Sequence, residues 1–186
     1  AGLYQAFTGS GLVVFGAGSV EYIPPRWFGA HPTATAAVNT TAIQNAFDSC
    51  ETHKIPVYLS AGNYSISATL DNKGCPFRGA GDEITILRPT VSTPALDISL
   101  VHDTVGHFSI NYTSVGAAGI TSSAVGIRLK QFNQASLEYI TVWRGHRAIQ
   151  VLSTFGDGYI WQARFRHIYS AYNKDYAFYI DSSSDS

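Results

Sequence analysis

Apolar residues fall at helical spacing in one stretch of this chain and at strand spacing almost everywhere after it. Ile43, Ala46, Phe47 and Cys50 stand at i, i+3, i+4 and i+7, one stripe along an α-helix. Asn39, Thr40 or Thr41 can cap its start, because their side-chain oxygens accept from the first unpaired N–H groups. Lys54 and Pro56 end it. Val57, Leu59, Tyr64 and Ile66 then alternate around Ala61-Gly62-Asn63, which reads as two short strands and a turn. A lone amphipathic helix must bury its stripe, and the β structure that follows offers its end as the surface.

Two apolar patterns recur beyond residue 90. Leu96-Asp97-Ile98, Ile127-Arg128-Leu129, Ile149-Gln150-Val151 and Phe178-Tyr179-Ile180 share an apolar-x-apolar core and start 22 to 31 residues apart. Val105 with Phe108, Leu137 with Ile140, and Phe165 with Ile168 form an apolar-x-x-apolar series, 28 to 32 residues apart. Interleaved series with similar but irregular periods predict a solenoid whose loops vary in length. An all-β sandwich with strands every 8–12 residues is the alternative.

Four blocks strengthen the solenoid reading. They are Trp27-Phe28-Gly29-Ala30, Asn39-Thr40-Thr41-Ala42-Ile43-Gln44, Val57-Tyr58-Leu59-Ser60-Ala61-Gly62-Asn63-Tyr64, and Phe77-Arg78-Gly79-Ala80-Gly81 leading to Thr85-Ile86-Leu87. Together they resemble the entry into the right-handed parallel β-helix of the pectate-lyase-like superfamily, and most of all bacteriophage tailspike proteins. The chain has Val38-Asn39 where that family usually has paired Asp, and Ser60-Ala61-Gly62 where Pro-x-Gly is common. The resemblance implies an all-β, right-handed parallel β-helix whose first end is capped by one α-helix. It implies residues 1–23 as a linker or neck from a virion-attachment region and 24–186 as the first coils of the β-helix. It also implies a homotrimer on a phage tail, joined to other virion proteins. Its substrate would be a bacterial surface polysaccharide, capsule or O-antigen, cleaved at glycosidic bonds. A non-catalytic fibre stem and a secreted pectinase-like lyase are the alternatives. The missing Met and the Ser-rich end after a strand lead us to expect a fragment of a longer protein.

Composition narrows the partners. The chain has 186 residues, 45% hydrophobic and 13% charged, with formal net charge −1. That balance gives no electrostatic case for nucleic acid or an anionic membrane, and no apolar run approaches the ~20 residues of a membrane helix. The six His are scattered and no Cys-x-x-Cys occurs, so no metal and no cofactor is expected. Gly16-Ala17-Gly18 lacks the third glycine and the helix of a dinucleotide site. Cys50 and Cys75 are read as buried free thiols, since nothing in their placement requires a disulfide.

Carbohydrate chemistry needs carboxylates and aromatic platforms. If Leu96 and Ile98 face inward, then Asp97, Arg128, Gln150 and Tyr179 form an outward column, with Ser99, Lys130, Leu152 and Asp181 in the next. Aromatic and basic side chains are dense from Trp143 to Tyr179. From them Trp143, Arg147, Trp161, Arg166, Tyr169 and Tyr179 are the candidate substrate contacts, with Phe165 and Phe178 assigned to the core. Packing between subunits is the alternative use of the same residue types. Glu138, Asp157, Asp175 and Asp181 are candidate catalytic carboxylates, and no two of them have a diagnostic spacing.

Overall fold

A computed structural model of the chain describes residues 6–8, 13–152 and 160–181. The described part is mostly β, with parallel strand pairing throughout. Among the described residues one α-helix occurs, α1 (Ala36–Cys50).

The strands fall into five levels. The first holds β1 (Val57–Leu59), β2 (Gly62–Ile66) and β3 (Leu70–Asp71), and the second β4 (Phe77–Gly79), β5 (Thr85–Pro89) and β6 (Leu96–Val101). The third holds β7 (Thr104–Asn111) and β8 (Val125–Asn133). The fourth holds β9 (Ser136–Trp143), β10 (Arg147–Leu152) and β11 (Ile160–Trp161), and the fifth β12 (Arg164–Ala171) and β13 (Phe178–Asp181).

Each level pairs in register with the next, in three columns. In the first column Tyr58, Arg78, Gly106, Glu138 and Arg166 follow one another. In the second, Asn63, Ile86, Ser109, Thr141 and Tyr169 do. In the third, Leu70, Leu96, Ile127, Ile149 and Phe178 do. Both recurring apolar patterns of the sequence therefore mark residues that occupy equivalent places on successive levels.

The columns enclose a core of aliphatic and aromatic side chains. Phe77, Val105, Leu137, Leu87, Ile110, Val142, Leu96, Ile127 and Ile149 are all at most 1% exposed. Each such burial contributes about 1.5–3 kcal/mol. Phe165 and Phe178 correct the expectation that they are buried. They lie on the fifth level, 38% and 43% exposed, because no described strand lies beyond β12 and β13 to cover them.

The helix closes the opposite end. Ala42, Ile43, Ala46, Phe47 and Cys50 face the core at 0–1% exposure, and Phe47 meets Phe77 edge-on with centroids 5.3 Å apart. Its polar side chains complete the edge of the first level. Gln44 Nε2 donates to Asp71 O (3.0 Å), Asp71 N donates to Gln44 Oε1 (2.9 Å), and Ser67 N donates to Thr40 Oγ1 (2.8 Å). Backbone groups of an exposed strand edge are thereby satisfied. Phe7 and Phe15 join Trp27 beside this end, with Phe7 N donating to Trp27 O (2.9 Å).

Three local expectations are corrected. The helix begins earlier than Asn39: Thr35 is its cap and accepts from Val38 N (3.4 Å). Asn39 is fully buried and instead accepts from His31 N (2.9 Å), tying the preceding loop to the helix. Cys50 and Cys75 are joined in a disulfide that pins the end of α1 to the turn before β4. An irregularity between Ile98 and Ser99 pairs Ser99 with Gln131 rather than Lys130, so the second outward column is offset there.

Candidate functional site

The first strand column gathers aromatic and charged side chains beside open space. Its outward series Tyr58, Arg78, Gly106, Glu138, Arg166 crosses four strand steps, about 19 Å at ~4.8 Å each. Two adjoining cavities run along it. One of about 550 Å³ is lined by residues including Glu21, Tyr22, Tyr58 and Arg78. The other, about 340 Å³, is lined by residues including Arg78, Asp103, Gly106, His107 and Glu138. Pro56 and Arg78 border both. Tyr22 and Tyr58 pair at 5.3 Å and supply an aromatic platform at one end.

Gly106 keeps the middle open. A Cβ there would lie 2.0 Å from the backbone oxygen of Glu138, so no side chain fits between these strands. Beside it, β7, β9 and β12 each bend at a residue in left-handed conformation: His107, Tyr139 and His167, with φ of 62°, 54° and 51°. This backbone is uncommon outside glycine. It places the three rings in one stack, His107 on Tyr139 at 4.8 Å and Tyr139 on His167 at 4.5 Å.

The charges are sparsely paired. Glu138 and Arg166 approach only to 3.9 Å. Among the described residues no carboxylate lies within ion-pair distance of Arg78, which is exposed. Burial, and then the Arg78 guanidinium, hold the His107 pKa below its ordinary value against the opposing pull of Glu138 and Asp82. His107 is therefore neutral at pH 7 and can accept a proton. Asp82 bounds the site: its carboxylate accepts from Ser109 Oγ (2.6 Å) and Thr141 Oγ1 (2.8 Å), fastening the 80–84 loop to the second column. That cover is why Ser109 and Thr141 are buried.

The residues singled out from sequence are spread around the molecule. Glu138 and Arg166 lie in the first column. Trp143 and Tyr169 lie on the second, with Tyr169 exposed. Arg147 and Tyr179 meet on the third, the guanidinium carbon 3.7 Å from the ring centroid. Asp175 joins them there, accepting from Arg147 Nε (2.9 Å). Trp161 is 61% exposed and pairs with Asn133 at the end of β8. Asp181 ends β13, opposite Leu152, and Asp157 lies outside the described residues.

Asp97, expected in the open, is only 4% exposed. Arg128 binds it with two hydrogen bonds of 2.7 and 2.6 Å and Lys130 approaches to 2.6 Å, so two long cations fold over it. The hydrogen bond to Asp97 leads the causes that hold the Arg128 pKa above its ordinary value. The charges of the third column are thus engaged in close pairs, whereas in the first, among the described residues, Arg78 has no carboxylate within ion-pair distance.

Sequence reasoning missed Tyr22, Tyr58, Arg78, His107, Tyr139 and His167. A signal was present. The residues inside the apolar-x-x-apolar series are Gly106-His107, Glu138-Tyr139 and Arg166-His167, two outward positions repeated on three levels.

No known family profile matches the chain, and no curated protein does. Among solved structures, the chain is similar to the A-module of mannuronan C-5 epimerase AlgE4 from Azotobacter vinelandii, with a TM-score of 0.60 and 16% identity. The match covers 86% of this chain and 53% of that one, so the chain spans about half the length of the structure it resembles. At that identity the likeness is one of fold, a parallel β architecture.

Proposed function

We propose that this chain forms the first levels of a right-handed parallel β-helix that binds and cleaves an acidic polysaccharide along the first-column groove. The observation that carries the reading is the unpaired Arg78 beside the neutral His107, in an elongated cleft floored by Gly106. The similar solved structure is named for action on mannuronan, a polysaccharide, which supports a carbohydrate substrate for this architecture. The tailspike resemblance of the sequence supports a bacterial surface glycan, a trimeric assembly and a place on a virion.

The chemistry follows from the groups present. Arg78 pairs with the carboxylate of a uronate residue, which makes the adjacent C5–H more acidic. His107 takes that proton. The C–H electrons form a C4–C5 double bond as the C4–O bond to the neighbouring sugar breaks, and the departing oxygen takes a proton from the Tyr139 hydroxyl. Glu138 and Arg166 set the polarity of the groove's far end. Proton transfer by positioned groups of this kind contributes about 10²–10⁴-fold.

The test incubates the full-length protein with uronate-containing capsular polysaccharide, following chain length and ultraviolet absorbance together. The reading expects shortened chains with unsaturated ends. Intact chains would overturn it. Shortened chains whose new non-reducing ends are saturated would overturn the role of His107 and move the chemistry to the carboxylates Glu138 and Asp103, which line the same cavity.

A further inference from the structure

A separate cavity of about 220 Å³ lies at the corner between the second and third columns. Its lining includes Tyr112 and Ile120 from the loop after β7, Arg144 from the bend after β9, and Tyr172 and Lys174 from the bend after β12. In size it falls between the ~150 Å³ that encloses a benzene and the ~300 Å³ at which drug-sized sites begin. That suits a single six-membered ring rather than a chain.

The lining has one chemical sense. Arg144 and Lys174 both border the cavity, and no carboxylate does. In a chain of net charge −1, two cations facing one space without an acid form a local exception. The neighbouring acid, Asp175, is already committed to Arg147 at 2.9 Å and His146 at 3.6 Å. Lys174 Nζ donates to Ile120 O at 3.0 Å, which fixes the amine and holds the loop over the cavity. Arg144 has no such tie: among the described residues no carboxylate lies within ion-pair distance of it, and its side chain has no hydrogen-bonding partner. Tyr172, 85% exposed, places an aromatic ring at the same wall. Arg144 and Tyr172 occupy equivalent bends on successive levels, with Arg144 N donating to Ala171 O (3.1 Å). On the loop side the lining residues Gly116 and Ala117 are small, and a Cβ at Gly116 would meet nothing within 4 Å.

We infer that this cavity is a second binding site, independent of the groove, for one carboxylate-bearing sugar ring. Arg144 takes the carboxylate through its planar donor fork, and Tyr172 stacks on the apolar face of the ring. The site recognises a terminal or branching acidic sugar. A main chain running along the first column would not reach it without leaving that column, because the second column lies between them.

The test titrates the protein with methyl glucuronide and, separately, methyl glucoside, observing ligand signals by nuclear magnetic resonance. The acidic ring is expected to bind in the millimolar range and the neutral one at least about tenfold more weakly. In an Arg78→Gln background, where the groove no longer contributes, Arg144→Gln should abolish that preference, and Tyr172→Ala, at an exposed position, should weaken both probes. Arg78→Gln, which disables the groove, should leave this site unchanged when the two sites are separated by their distinct dissociation constants. Equal binding of both probes would overturn the inference, as would a preference that survives in a folded protein carrying both Arg78→Gln and Arg144→Gln. Loss of the preference in Arg78→Gln alone would assign the site to the groove instead.

Discussion

Replacing Phe47 by Ala tests whether α1 is a structural lid. Phe47 has no exposed surface and begins an aromatic series with Phe77 at 5.3 Å and Phe108 at 4.9 Å from Phe77. Truncation removes the buried ring, leaves a cavity between helix and first level, and breaks the edge-on contact with Phe77. Phe→Ala changes of this kind cost about 3–5 kcal/mol, including about 0.5–1.5 kcal/mol from the ring pair. For a chain of this size each kcal/mol moves Tm by about 2–4 °C, so the expected fall is about 6–20 °C. Val38→Ala is the control, since Val38 lies on the same helix but is 47% exposed. It should change stability by less than about 0.5 kcal/mol. Thermal melts by circular dichroism read both variants against the parent. If Phe47→Ala melts within a degree or so of Val38→Ala, the helix is not covering the core.

Other perturbations probe the site and its surroundings. Gly106→Ala forces a Cβ to 2.0 Å from the Glu138 backbone oxygen, so strands β7 and β9 must part; a loss of about 1–3 kcal/mol should appear in urea unfolding together with weakened polysaccharide binding. Asp97→Asn removes the carboxylate shared by Arg128 and Lys130; because those side chains are 30% and 41% exposed, water offsets part of the loss, and the urea midpoint should fall by the equivalent of about 1–3 kcal/mol. Cleavage should require neutral His107, so its acid limb should lie below pH 6.5, the ordinary histidine value. Arg78→Gln should move that limb upward, since removing a nearby cation makes the imidazole easier to protonate. The same depression means the unfolded chain binds the His107 proton more readily than the folded one, so this group's contribution to stability rises with pH up to about 6.5.

The parallel levels were legible because inward residues must repeat at equivalent places. Leu96, Ile127, Ile149 and Phe178 recur at intervals that the register reproduces. The outward residues were harder to read, for physical reasons. Whether an outward side chain stands open depends on what folds over it, and Asp97 is covered by cations whose reach no spacing reveals. Ser109 and Thr141 are covered by a loop fastened through Asp82, 27 and 59 residues away in sequence. The stack of His107, Tyr139 and His167 depends on left-handed bends at non-glycine residues, which local propensity disfavours. The helix start moved to Thr35 because Asn39, a good cap by residue type, is engaged with His31. The aromatic and basic residues from Trp143 to Tyr179 fall on all three columns, whereas the open groove lies in a column whose charged members are spread from Arg78 to Arg166.

The claim that the first column binds acidic polysaccharide through Arg78 is tested most directly by calorimetric titration. The protein is titrated with a uronate-containing polysaccharide and with a neutral one of similar length, and both titrations are repeated with Arg78→Gln. The account predicts salt-sensitive binding of the acidic polymer, little binding of the neutral one, and at least about a tenfold loss of affinity in the variant. Equal affinity for the two polymers, or an unchanged affinity in a folded Arg78→Gln protein, would contradict it.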